Sequence, residues 1–387
     1  MILIRNAEVY TPEYEGKKDV LIAGERIEWV RESIDPERVR ILEQTGCQVI
    51  DGNGKKLFPG LIDRHVHITG GGGEGSFRTK APEIQLSQMI KAGITTVVGL
   101  LGTDGISRSV ENLLAKAKAL KEEGISVYVC TGSYGYPSVT LTQSVQKDIA
   151  FIDEVIGVKL AVSDHRAPNI SVDELIRLGS DVRTAGMISG KAGIVVLHMG
   201  DDKHGLEPVR EALERTSIPI KTFQPTHVAR KKHLLQQALD FAKEGGFIDI
   251  TADDSGMDEV KGAWEQIYAQ QVPLDRITIS SDGQGSWSEY DAEGRLLRIG
   301  VSSVENLYQQ LVTLVRDYGY PLEEVLPCLT SNVARALEID AHKGYIRAGK
   351  DADLLLVNNE WQIDTVIARG QIMMKDKEVL VKGTYEN

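Results

Sequence analysis

The chain has 387 residues, 42% hydrophobic and 26% charged, with a mean hydropathy of -0.18. That makeup excludes a disordered or low-complexity protein and supplies enough apolar surface for a large core. A net charge of -12 argues against nucleic acid or an anionic membrane as partner, because the phosphate term in such binding needs a basic face. Cys47, Cys130 and Cys328 are scattered and odd in number, with no CxxC pair, so a reducing compartment is expected. The first residues, Met1-Ile2-Leu3-Ile4-Arg5-Asn6-Ala7, carry no charged segment ahead of an apolar core. No run approaches the roughly 20 apolar residues of a membrane span, and a cytoplasmic location is expected.

From Met1 to about Leu57 the sequence reads as short strands with tight turns. Asp19 to Ala23 and Arg26 to Val30 alternate apolar and polar residues across Gly24-Glu25, a hairpin signal. No helix of useful length is expected there. The other end behaves alike, with Asp353 to Val357, Thr365 to Ala368, Gln371 to Met374 and Glu378 to Val381 as short runs between turn residues. Two strand-rich ends around a different middle predict one small β domain built from both termini. Its expected extent is 1–57 plus 345–387, sandwich-like, around a catalytic domain at 58–344.

Between Pro59 and His342 apolar β-rich runs alternate with helical stretches. The strand candidates are Leu61 to His67, Thr95 to Leu100, Ser126 to Thr131, Gly157 to Val162, Gly193 to His198, Ile218 to Thr226, Phe247 to Thr251 and Arg276 to Ser281. Val110 to Glu123, Ser171 to Ala185 and Lys232 to Gly245 read as helices between them, and Glu305 to Tyr318 as one after the last. Eight such units predict an α/β fold, a (β/α)8 TIM barrel. The rival is a doubly wound open sheet. Its dinucleotide fingerprint is missing, since Gly70 to Gly73 follow His67 and lead to Glu74, and no phosphate-loop motif occurs.

Barrel chemistry sits where the C-terminal ends of strands converge. His65 and His67, two apart on strand 1, share a face. His198, His227 and Asp282 come at the ends of strands 5, 6 and 8, and Lys159 lies inside strand 4. Each has a plain structural reading: a strand-end histidine as partial core, a strand-end aspartate as a helix N-cap. Lys159 is the least comfortable, because a buried ammonium must be neutralised, paired or modified. Together they supply the nitrogen and oxygen ligands that zinc prefers, in one ring. Carboxylation of Lys159 would turn a cation into an anionic ligand able to bridge two ions. His165, His204, His233 and His342 fit no such position.

This set resembles that of the amidohydrolase superfamily, with an HxH on strand 1, a lysine on strand 4, histidines on strands 5 and 6 and an aspartate on strand 8. Gly344 to Asp353 is similar to the superfamily's return into its β domain. Further blocks resemble the isoaspartyl (β-aspartyl) dipeptidase branch: Gly70 to Glu74, Val98 to Asp104, Ser163 to Arg166, Pro225 to Arg230 and Ser280 to Ser286. The resemblance implies a metal-dependent hydrolase of isoaspartyl dipeptides that attacks with a hydroxide bridging two Zn²⁺ per subunit. It implies His65, His67 and Asp282 on one ion, His198 and His227 on the other, and carboxylated Lys159 between them. Asp282 would be the catalytic base, and Tyr134 would help polarise the scissile carbonyl. Glu74 would meet the substrate ammonium, Arg166 and Arg230 a carboxylate, and Thr103 and Ser286 make further contacts. A homo-oligomer as large as an octamer is also implied. Two rivals stand: a cyclic-amide hydrolase of the dihydroorotase or hydantoinase kind, and a non-catalytic scaffold.

Overall fold

The alternating middle of the chain forms eight parallel strands in the computed structural model, which describes residues 1–252, 258–291 and 293–386. They are Leu61–Val66, Ile94–Gly99, Ser126–Gly132, Val155–Val162, Ile194–Met199, Phe223–Thr226, Ile248–Thr251 and Ile277–Ser280, called barrel strands 1 to 8. Each pairs with its sequence neighbour, as short right-handed crossovers dictate. The seam between strands 8 and 1 is thin, an isolated bridge Val66–Gly283 and a bond from His67 N–H to the Gly283 carbonyl of 2.8 Å. With helices such as Val110–Glu122, Val172–Ser189, Lys232–Lys243 and Glu305–Val312 outside it, the sheet is the expected (β/α)8 barrel.

The floor of the barrel is apolar. Ile62, Val98, Cys130, Ile156, Ile194 and Val196 pack inward on Val333, Ala334 and Leu337, so the helix Ser331–Ala336 plugs this end. Above them lies a polar layer. Arg64 donates to Thr278 Oγ1 at 3.1 Å and to Gln224 Oε1, and Asp249 accepts from Thr226, Thr278 and Ser280 at 2.7, 2.7 and 2.6 Å. These bonds cross from strand 1 to strands 6, 7 and 8 and answer the demand that buried polar groups find partners.

Strands from both ends of the chain share one sheet, nine-stranded among the described residues. The two ends meet where Lys56–Pro59 lies antiparallel to Leu354–Val357, with Leu57 opposite Leu356. Its inner face buries Ile4, Val9, Val20, Ile22, Leu354 and Ile367.

Two local expectations need correction. The N-terminal part does contain a helix, Pro36–Gln44, whose start is written in the sequence: Asp35 accepts from Glu37 N–H, and proline stands at the first turn. It lays Val39 on Leu3, Leu21 and Cys47. Barrel strand 6 begins at Phe223 rather than Ile218, because Pro219 heads a 3-10 turn over Ile220–Thr222 and offers no N–H to a neighbouring strand.

Candidate active site

At the C-terminal end of the barrel the strand-end side chains converge. His65 and His67 leave strand 1 with ring centroids 5.6 Å apart. His227 lies 5.0 Å from His65 and 4.6 Å from His198 by the same measure. Asp282 Oδ1 is 3.4 Å from His65 Nε2 and 3.2 Å from His67 Nε2, and Lys159 Nζ is 3.0 Å from His65 Nε2. His227 and Asp282 adopt positive φ of 62° and 53°, a left-handed conformation that is uncommon outside glycine and clusters at functional sites. All six residues are buried.

Burial sets their protonation. It drives His65, His198 and His227 well below the usual histidine value, helped by Lys159 beside His65 and by Arg230 near the other two. Neutral imidazole is the form that offers a lone pair to a metal. Burial also lowers the Lys159 amine from 10.5 to about 7. For Asp282, burial pulls upward, yet the nearby His67 imidazole and the charges of Arg230 and Lys159 outweigh it, and the carboxyl is held below its usual range.

The donor set fits a metal. His65 Nδ1, His67 Nδ1, His227 Nε2 and Asp282 Oδ1 are buried without a hydrogen-bond partner, a cost that a cation would remove. One ligand atom each of His65, His227 and Asp282 lies within 4.8 Å of the others. His198 differs, since both its nitrogens are engaged. Tyr134 Oη is 2.7 Å from Nδ1, and Asp164 Oδ2 is 3.2 Å from Nε2.

Above the histidines lies a second cluster, centred on Glu74. Its Oε1 accepts from Ser286 Oγ at 2.8 Å and Thr103 Oγ1 at 3.0 Å, with Arg166 NH1 at 3.4 Å. Its Oε2 is buried with no partner. Arg166 also forks onto Asp164 through two bonds of 2.9 Å, so most of its donors are taken. Arg230 lies 3.5 Å from His198 Nε2 and, among the described residues, forms no ion pair with a carboxylate. Burial pushes the Tyr134 phenol above its ordinary value, so it remains a proton donor.

Other residues of the site carry no motif in the sequence. Asp63 accepts from Ser281 Oγ at 2.5 Å, Ser281 N–H at 3.2 Å and His65 N–H at 3.3 Å, which ties strand 1 to strand 8 beside two candidate ligands. Burial holds its carboxyl up at about 7. Thr251 Oγ1 sits 2.6 Å from His227 Nδ1 and orients that ring. Asp164 lies within the block Ser163 to Arg166, which is its signal in the sequence; Thr251 has only its place at the end of strand 7. His165, His204, His233 and His342 are all exposed.

Residues 57–373 match the amidohydrolase family. A β-aspartyl dipeptidase from Fervidobacterium islandicum AW-1, solved with a β-Asp-Leu dipeptide, superposes with a TM-score of 0.91 at 45% identity, covering 98% of each chain. A D-hydantoinase from a Thermus species shares the fold, with a TM-score of 0.68 at 17% identity over 100% of this chain and 98% of that one. A dihydroorotase from Listeria monocytogenes is 27% identical over 56% of this chain, and the match spans 50% of that relative's length. A dihydroorotase from Listeria welshimeri is 29% identical over 96% of this chain and 93% of the relative. The family match takes in all eight barrel strands and every candidate ligand on them: the chain belongs to the amidohydrolase family.

Proposed function

We propose that the protein is a zinc-dependent isoaspartyl dipeptidase. The observation that carries this reading is Glu74, whose buried Oε2 lacks a partner at the edge of a ring of metal-ligand side chains. An unpaired buried carboxylate oxygen asks for a cation, and the α-ammonium of an isoaspartyl dipeptide is one. Likeness to the Fervidobacterium β-aspartyl dipeptidase at 45% identity supports the same choice. A planar cyclic amide has no ammonium to offer. We also propose the domain division 58–344 against 1–57 with 345–387.

His65, His67 and Asp282 would hold one zinc ion, His198 and His227 a second, and Lys159, carboxylated, would lie between them. When bound, zinc supplies Lewis-acid polarisation of the scissile carbonyl and a water acidic enough to attack near neutral pH. Lys159 suits carboxylation because an amine with a pKa of about 7 is substantially neutral in the cell, and only the neutral amine adds to carbon dioxide. His198 must release Asp164 or Tyr134 to serve. Asp282, held ionised, takes the proton of the attacking water and returns it to the leaving amine. Tyr134, held protonated, donates to the carbonyl oxygen. Glu74 holds the ammonium, and Arg230, with the remaining donor of Arg166, holds carboxylate. Thr103 and Ser286 fix the Glu74 carboxylate.

The test is hydrolysis of β-Asp-Leu beside α-Asp-Leu and dihydroorotate, with zinc supplied. Preference for the β-linked dipeptide is expected; preference for dihydroorotate would replace this reading with the cyclic-amide one. Absence of bound zinc together with no activation by added zinc would favour a scaffold.

A further inference from the structure

We propose that Arg108 is a positioning residue that sets Glu74 for the substrate ammonium, an inference that rests on the role just given to Glu74. Glu74 ends a loop that has almost no side chains of its own. Gly70, Gly72 and Gly73 have φ of 79°, 80° and 108°, and a Cβ on Gly70 would lie 2.1 Å from the Ala81 carbonyl oxygen. Such a loop cannot anchor itself by packing. Its anchor comes from the next βα loop. The Arg108 guanidinium donates to the carbonyls of Thr69, of Ala81 at 2.9 Å and of Gly71 at 3.3 Å. Among the described residues it forms no ion pair with a carboxylate; its two terminal nitrogens bond main-chain oxygens, and its Nε is buried without a partner.

Arg108 is itself rooted. Ser109 caps the helix Val110–Glu122 by accepting from Asn112 N–H, and Arg108 immediately precedes that cap. The same loop touches the cargo directly, through Thr103 Oγ1 and Glu74 Oε1 at 3.0 Å. It also grips the strip facing the glycines, through Lys80 Nζ and Asp104 Oδ2 at 3.1 Å. Segment 103–108 therefore splints the glycine loop at both ends: Thr103 at the carboxylate and Arg108 at the backbone. His65 and Lys159 sit within strands and His198 within another, while His227 and Asp282 follow strand ends; His67, whose carbonyl accepts from Gly70 N–H at 2.7 Å, adjoins the splinted loop. Losing Arg108 should thus loosen Glu74 and spare the ligands on strands 1, 4 and 5 and at the ends of strands 6 and 8.

Arg108→Met and Arg108→Lys, both with zinc loaded, test this against wild type. Charge-assisted hydrogen bonds of this kind imply a rise of about tenfold in KM for β-Asp-Leu in Arg108→Met, with kcat changed by no more than about threefold. The inhibition constant of N-succinyl-leucine, the same amide without the ammonium, should move by less than about twofold. Arg108→Lys, keeping the charge but only one compact donor head, should fall between and carries the test if the methionine variant does not fold. Amide hydrogen exchange supplies a reading independent of activity: residues 69–76 should exchange faster in both variants while residues 61–66 do not. Unchanged exchange in 69–76, or equal losses for the dipeptide and its succinyl analogue, overturns the proposal. Failure of wild type to cleave β-Asp-Leu would instead sink the function, and the exchange result would still judge Arg108.

Discussion

Two lysines lie buried at opposite ends of the barrel, Lys159 at 0% exposure and Lys343 at 4%. Lys343, between the barrel floor and the terminal sheet, is saturated: Asp353 at 2.5 Å, Asp351 at 2.7 Å and Ser126 Oγ at 2.6 Å. Burial alone would lower its amine, but the two carboxylates reverse that and raise it above the usual lysine value. Lys159 has His65 Nε2 at 3.0 Å and, among the described residues, no carboxylate in ion-pair contact, and its amine falls to about 7. The displacement from 10.5 corresponds to on the order of 5 kcal/mol against the charged form. A charge with every partner in place is a clamp; a buried amine without a carboxylate beside it gives up its proton easily.

Substituting each lysine should therefore give opposite results. Lys343→Met leaves Asp351 and Asp353 uncompensated and should destabilise the protein by about 3–5 kcal/mol, read by denaturant unfolding, with the activity per folded molecule kept. Asp282→Asn should do the reverse, cutting turnover by at least about a hundredfold with the unfolding midpoint little changed. Near-normal turnover with zinc retained would remove Asp282 from its proposed role as base.

Lys159→Met should abolish activity, yet in metal-free protein it should be neutral or stabilising at neutral pH, since it removes a buried ammonium that costs free energy. The pH dependences have opposite signs. For Lys343, whose folded pKa is raised, the stabilising contribution is fully present below 10.5 and is lost as pH climbs through the folded value. The gap between wild type and Lys343→Met therefore narrows only in strong alkali. For Lys159, with a folded pKa of about 7, the penalty is full below that value and fades toward 10.5. Metal-free wild type should gain on Lys159→Met across that window, and a flat difference would mean that a carboxylate compensates the amine. The smallest effect is expected from Thr251→Val, which frees His227 to rotate and should weaken zinc binding by about tenfold, measured by competition with a chelator.

Much of the fold was legible because it is periodic. Apolar runs such as Ile194 to Leu197 and helical stretches such as Val110 to Glu122 carry their own signal, and residues at strand ends share one end of any barrel so built. The helix Pro36–Gln44 is short and flanked by strand-like runs, so only Asp35 and Pro36 announce it in the sequence. What sequence could not display were partnerships across the barrel. Arg64 with Gln224, Asp63 with Ser281 and His227 with Thr251 are pairs that exist only once strands 1, 6, 7 and 8 stand in register. Arg108 likewise has no motif, because its partners are main-chain carbonyls, which every residue owns.

The thin seam between strands 1 and 8 has a consequence for biosynthesis. Asp63 and Ser281, which knit it, are 218 residues apart in sequence, and Asp282 follows at once. A nascent chain carries both histidines of strand 1 from early in its synthesis but lacks the carboxylate that faces them until most of the barrel has been made. Contacts of such long range form late, after loop closure has been overcome. The candidate site is thus completed by the strand that closes the ring, and a chain stalled before Ile277 owns imidazoles but not the carboxylate that faces them.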